Sequence, residues 1–233
     1  MEVVGAMAEI ERLPIRGYGD AFVPNQFLKQ VGNADGLAIL LPGLGYTCDM
    51  PIFYYTELQF LVGRFDVLRV DYDYRQLGVQ SWSGADHERR LIEDVRASVQ
   101  AGVAQRSYSE VTVVGKSLGT LAMAHLAANG VISPAWRSVW LTPLLRQDDV
   151  WESMQQRTPP TAVVIGTEDH HFDPERLSAF DGRDNTTVLI VEGGNHSLNA
   201  GETAGDSAQA LSDVIRQMDT FYNFPQHGAG EMD

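Results

Sequence analysis

Two hydrophobic patterns alternate along the chain. One is a short run that is apolar almost end to end: GLAILLPG (residues 36–43), DVLRVDYDY (66–74), EVTVVG (110–115), RSVWLTP (137–143), TAVVIGTED (161–169) and TTVLIVEGGNH (186–196). Strands buried on both faces read this way. The other is a longer stretch with apolar positions three and four apart: residues 50–65, 84–105, 118–130 and 206–224. In the second of these, Leu91, Ile92, Val95 and Val99 line one face of a predicted helix, with charges opposite. Pro51 suits a first helical turn, Gly63 lies near an end, and Asn129-Gly130 is a C-terminal stop. Residues 10–30 read as two short strands around the RGYGD turn.

Strand and helix signals alternate, so the expected fold class is α/β, a mostly parallel central sheet with helices on both faces. No repeat or low-complexity linker divides the chain. A single domain is expected over residues 10–224, followed by a flexible tail over 225–233. Ligands of such sheets bind at the carboxyl ends of the strands, so the residues just after each strand are the ones that bear on function.

Composition narrows the classes of partner. The formal net charge is −14, from 17 basic and 31 acidic side chains. An acidic surface repels phosphate backbones and anionic lipid, so neither nucleic acid nor a membrane is an expected partner. The lone cysteine, Cys48, excludes an intrachain disulfide. The first residues lack a basic segment followed by a long apolar run. No apolar stretch approaches the ~20 residues of a transmembrane helix. A cytoplasmic protein is expected.

Chemistry enters at GKSLG, residues 115–119. A Gly-x-Ser-x-Gly between a buried strand and a helix sets the serine in a tight turn, its hydroxyl pushed out over the sheet edge. Side chains at Gly115 and Gly119 would clash with the neighbouring strand and helix. The same turn aims the helix N-terminus and the Leu118 amide at one point, which favours a developing negative charge there. Ser117 is therefore a candidate nucleophile. Lys116 beside it reads by default as a solvent-facing side chain, with contact to substrate or to a neighbouring carboxylate as the alternatives.

A serine hydroxyl needs a base, and the base an orienting acid. In chain order Ser, acid, His, the loops GTEDHHFDP and EGGNHSL offer Asp169 and His196, each just past a strand. Glu168 and Asp173 compete for the acid, although Asp173 before Pro174 reads as a helix N-cap. His170 and His171 compete for the base but sit too near the acid to be offered from a separate loop, and are expected on the surface or on a pocket wall. His125 reads as a helix-face histidine, and His87 carries no supporting signal. No HExxH or CxxC pattern supports a metal among these residues.

A second backbone donor for an oxyanion is expected from LLPGLGYT, residues 40–47, where Gly43 and Gly45 allow close backbone approach. Leu44 is the preferred amide, with Leu118 as its counterpart. The GxG here lacks the third glycine of a dinucleotide site, and no GxxxxGK occurs. No cofactor is expected.

With VVGKSLG, GTEDHHFDP and GGNHSL in place, the chain resembles the α/β-hydrolase superfamily from about residue 10 to residue 224. It is most similar to small members of the dienelactone-hydrolase and esterase kind. The resemblance implies a Ser117-His196-Asp169 triad. Many members carry His-Gly where this chain has Pro42-Gly43, a change that leaves the backbone donors in place. Family members often carry a large cap after the sixth strand. Here residues 142–161 hold one short helix, so a minimal lid and an open pocket are expected.

Candidate pocket residues are Gly45, Tyr46 and Leu144, with Met50, Trp82 and Trp151 as further wall candidates. Asp148 and Asp149 read as helix-start carboxylates. The resulting expectation is a serine hydrolase for a small-molecule ester or thioester, of unassigned oligomeric state. A non-catalytic binding domain and an acyltransferase on the same triad are the alternatives.

Overall fold

A computed structural model describes residues 8–72 and 84–224. Eight strands form one sheet: β1 (Ala8–Glu11), β2 (Asn25–Gln30), β3 (Gly36–Leu41), β4 (Phe65–Val70), β5 (Glu110–Lys116), β6 (Arg137–Leu141), β7 (Thr161–Gly166) and β8 (Thr186–Val191). Their order is β1-β2-β4-β3-β5-β6-β7-β8. β1 and β2 join antiparallel at one edge, and β4 through β8 run parallel. The helices are α1 (Pro51–Val62), α2 (Gly84–Val103), α3 (Leu118–Ala128), α4 (Asp148–Gln155), α5 (Pro174–Ser178) and α6 (Ala204–Tyr222). The strand expected over residues 66–74 ends at Val70; Asp73 and Tyr74, with Trp82 and the tail from residue 225, lie outside the described residues.

The apolar runs are explained by burial on both faces. Leu37, Ile39 and Leu41 of β3 pack into one core with Leu91, Val95 and Val99 of α2 and with Met123 of α3. Ala38 and Leu40 of the same strand pack into the other core with Ile52, Phe53 and Phe60 of α1 and Met218 of α6. In α2 the buried set is Leu91, Asp94, Val95, Ser98, Val99 and Gly102, a stripe at helical spacing, while Ile92 is only partly covered. Asp94 is tolerated inside because its carboxylate accepts the Tyr18 N–H at 2.8 Å.

Local signals end the elements as the sequence leads one to expect. Pro51 opens α1 and Gly63 caps it. Asn129 caps α3, and Gly130 follows at φ +70°. The only helix in the segment between β6 and β7 is the eight-residue α4, so no large cap is inserted there. Among the described residues no helix is long and apolar enough to cross a membrane.

Candidate active site

Ser117 links β5 to α3 with φ 49° and ψ −113°, a conformation that costs an ordinary residue on the order of 1–3 kcal/mol. The flanking glycines make the turn possible. A Cβ at Gly119 would run into the Leu41 carbonyl, and one at Gly115 into Met123 Sδ and the Gly119 backbone. A serine at a helix N-cap usually accepts a hydrogen bond from the first turn. Ser117 makes none, which leaves its hydroxyl for another partner. The turn is held instead by its carbonyl, which accepts from the Thr120 amide at 2.8 Å and from Thr120 Oγ1 at 2.6 Å.

The partner is His196. Its Nε2 lies 2.8 Å from Ser117 Oγ, and its Nδ1 lies 2.8 Å from Asp169 Oδ2. An ionised carboxylate only accepts, so Nδ1 carries the proton and donates to Asp169; Nε2 then accepts from the Ser117 hydroxyl. Asp169 is 4% exposed, and its other oxygen accepts the His171 amide at 2.9 Å. Burial pushes its carboxyl up, but the bonds from His196 and the His171 amide outweigh that and hold it below its ordinary value.

The competing residues stand elsewhere. Asp173 caps α5, accepting the Arg176 amide at 3.1 Å. Glu168 is exposed, with its backbone N–H on the Gly194 carbonyl. His125 lies 2.8 Å from Glu88 on the helix surface. His170 and His171 pack around the His196 imidazole, with ring centroids 4.8 and 5.7 Å from its own. Burial and the neighbouring His170 push the His171 imidazole below its ordinary value. Asp169, His170 and His196 each offer one ligand atom within 4.8 Å of the others. Both Asp169 oxygens are already engaged by His196 and the His171 amide, so this cluster overlaps the hydrogen-bonded set of Ser117, His196 and Asp169.

The loop after β3 completes the site. Gly43 and Tyr46 pair across a tight reversal, with Leu44 and Gly45 at its tip and Gly45 at φ +75°. A Cβ at Gly43 would lie 3.2 Å from the Ser117 Cβ, so this backbone rests against the serine. Leu118 is the first residue of α3, and its N–H has no carbonyl within the helix to bond. Tyr46 is half-buried with its ring beside Lys116, and Met50 is exposed. Leu144 is buried in the core with its amide on Thr120 Oγ1 at 3.2 Å, and Trp151 stacks with Arg176. A separate hollow of about 550 Å³ between α3 and α4, lined by Ala124, His125, Ser153 and Arg157, includes none of Ser117, Asp169 and His196.

One expectation is corrected. Lys116 is not solvent-facing but 1% exposed. Two residues on from Val114 in β5, it shares that residue's face and points into the sheet side that carries α1 and α6, where its ammonium meets Thr142 and the His196 carbonyl. These partners lie 26 and 80 residues away in sequence, so no local signal announces them.

Residues 35–223 match the profile of the alpha/beta hydrolase domain. The chain belongs to the alpha/beta hydrolases. As a hydrolase it has structural relatives at low sequence identity. An esterase of Pyrococcus furiosus superposes with a TM-score of 0.67 at 12% identity, over 95% of this chain and 94% of that one. A dienelactone hydrolase of Anabaena variabilis gives 0.65 at 14% identity, over 93% and 98%. A serine hydrolase of Xanthomonas campestris, described as lacking a lid, gives 0.64 at 18% identity, over 93% and 96%. A search of curated proteins by sequence finds no match.

Proposed function

We propose that this hydrolase is a serine enzyme that cleaves a small ester or thioester through an acyl-enzyme. The observation that carries the reading is the unbroken relay Ser117 Oγ to His196 Nε2 and His196 Nδ1 to Asp169 Oδ2, with 2.8 Å at each step. Ser117 Oγ attacks the substrate carbonyl carbon while its proton passes to His196 Nε2. The carbonyl oxygen becomes an oxyanion facing the Leu118 and Leu44 amides, where fixed dipoles need no reorganisation as charge develops. The bond from carbon to the leaving oxygen or sulfur then breaks, and His196 returns the proton to that atom. Water enters, gives its proton to His196 and its oxygen to the acyl carbon, and Ser117 leaves with the proton restored. Asp169 keeps the imidazole in the required tautomer and stabilises its charged form throughout. Apart from the substrate and the water, the groups named in this cycle belong to the chain itself.

The test is hydrolysis of p-nitrophenyl esters from acetate to decanoate by wild type and Ser117→Ala. Turnover that falls by several powers of ten in the variant supports the reading, and the preferred chain length measures the acyl pocket. Turnover unchanged in Ser117→Ala contradicts it. Acyl products formed with added alcohols or amines would identify an acyltransferase on the same triad.

A further inference from the structure

Lys116 is charged, immediately precedes the candidate nucleophile, and lies out of water. An ammonium has three N–H donors, and each has a destination here. Nζ lies 2.6 Å from Thr142 Oγ1 and 2.6 Å from the His196 carbonyl oxygen. It also lies 4.6 Å from the centre of the Tyr46 ring, within cation–π range. The three acceptors come from three loops, those after β6, β8 and β3. Two of these loops carry candidate machinery: His196 itself, and the reversal that presents Leu44. The third carries strain, since Thr142 is β-branched and sits at φ +40°.

Among the described residues Lys116 has no ion-pair partner. A buried charge without one is not explained by stability, because burying it unpaired is costly. Its contacts are explained by position. We infer that Lys116 is a positioning residue, a buried ammonium that ties the loops after β3, β6 and β8 together and holds the His196 backbone in register with Ser117. Its effect on rate rests on the serine hydrolase reading; its effect on the histidine loop does not.

Titration separates this role from packing alone. Burial pushes the Lys116 ammonium down to about 8, with Asp169 opposing. The titratable groups facing it are Asp169 after β7, His196 after β8 and Tyr46 after β3; the loop after β6 offers only the Thr142 hydroxyl. Burial raises the Tyr46 phenol above its ordinary value of 10.0, and Asp169 lies below its ordinary value, so neither is the group that changes charge between pH 8 and pH 9.5. Loss of the proton from Lys116 weakens all three contacts at once.

The experiment compares wild type and Lys116→Met by two readouts. The first is the rate of Ser117 labelling by a fluorophosphonate probe from pH 6.5 to 9.5. The second is amide hydrogen exchange at pH 7 in residues 193–199, where Asn195 and Leu198 donate to neighbouring loop carbonyls. Wild-type labelling is expected to fall several-fold above pH 8. Lys116→Met should label on the order of 10- to 100-fold more slowly at pH 7, show no alkaline decline, and exchange faster in 193–199. Thr142→Val, which keeps the lysine and removes one acceptor, should fall between the two if Lys116→Met does not fold. A flat wild-type profile with exchange in 193–199 unchanged in the variants overturns the proposal while leaving the hydrolase reading intact. Absence of wild-type labelling sinks the hydrolase reading alone, and the exchange comparison then decides whether Lys116 holds the loop.

Discussion

The carbonyl of Gly194 occupies the space that a Cβ on Gly166 would need. The same carbonyl accepts the Glu168 amide at 2.9 Å. The loop bearing Asp169 and the loop bearing His196 therefore touch backbone to backbone, at the ends of the paired strands β7 and β8. The 2.8 Å bond between the two side chains depends on that approach.

Gly166→Ala should force the two loops apart. Overpacking of this kind costs about 1–3 kcal/mol. Activity should suffer beyond that, because a small displacement of the imidazole misaligns the reacting atoms. Measured well below the melting temperature, kcat/KM on a p-nitrophenyl ester should drop by at least about 10-fold. Wild-type kinetics in a protein with lowered Tm would show that the close approach serves stability alone.

Asp169→Asn keeps the shape but lets an amide face His196 Nδ1, favouring the wrong tautomer. A loss on the order of 10³–10⁴ in kcat is expected. The variant should also alter acid stability. The carboxyl lies below its ordinary value of 3.8 when folded, so the unfolded chain binds its proton first as pH falls. Its contribution is complete above about pH 4 and disappears as the pH falls through the folded value. Urea unfolding at pH 7 and pH 3 should show a smaller acid-induced loss in Asp169→Asn than in wild type.

Arg69 anchors the segment between β3 and α1. It lies 2.5 Å from Asp49, 3.3 Å from Glu57 and 3.5 Å from Asp71. Glu57 is buried, and burial raises its carboxyl even with Arg69 present. Arg69→Met should cost about 3–5 kcal/mol at pH 7, because it strands that charge. The loss should shrink at pH 5, where the unpaired Glu57 takes up a proton. Equal destabilisation at both pH values would mean that packing rather than charge is at stake.

The parts of this molecule written locally were legible in its sequence. Val113 and Val114 face opposite cores, which is why their strand reads as one apolar run. Gly115 and Gly119 flank Ser117 because backbone and Met123 fill the places of their side chains. Asp173 before Pro174 signalled its own capping role. Features made by long-range meeting were not legible. Nothing near Gly166 says that Gly194 will rest on it, and nothing near Lys116 names Thr142 or His196. A lysine in a five-residue turn reads as solvated until the fold carries three loops over it. Ile92 fits the spacing of the buried stripe of α2 but sits at its margin, where periodicity alone draws no edge.

The central claim is that Ser117 is a nucleophile activated by His196. The most direct test is to treat the protein with a fluorophosphonate and locate the adduct by peptide mass spectrometry. One adduct on Ser117, lost in His196→Ala, is the predicted result. An adduct on another residue, or none on folded wild-type protein, would contradict the account.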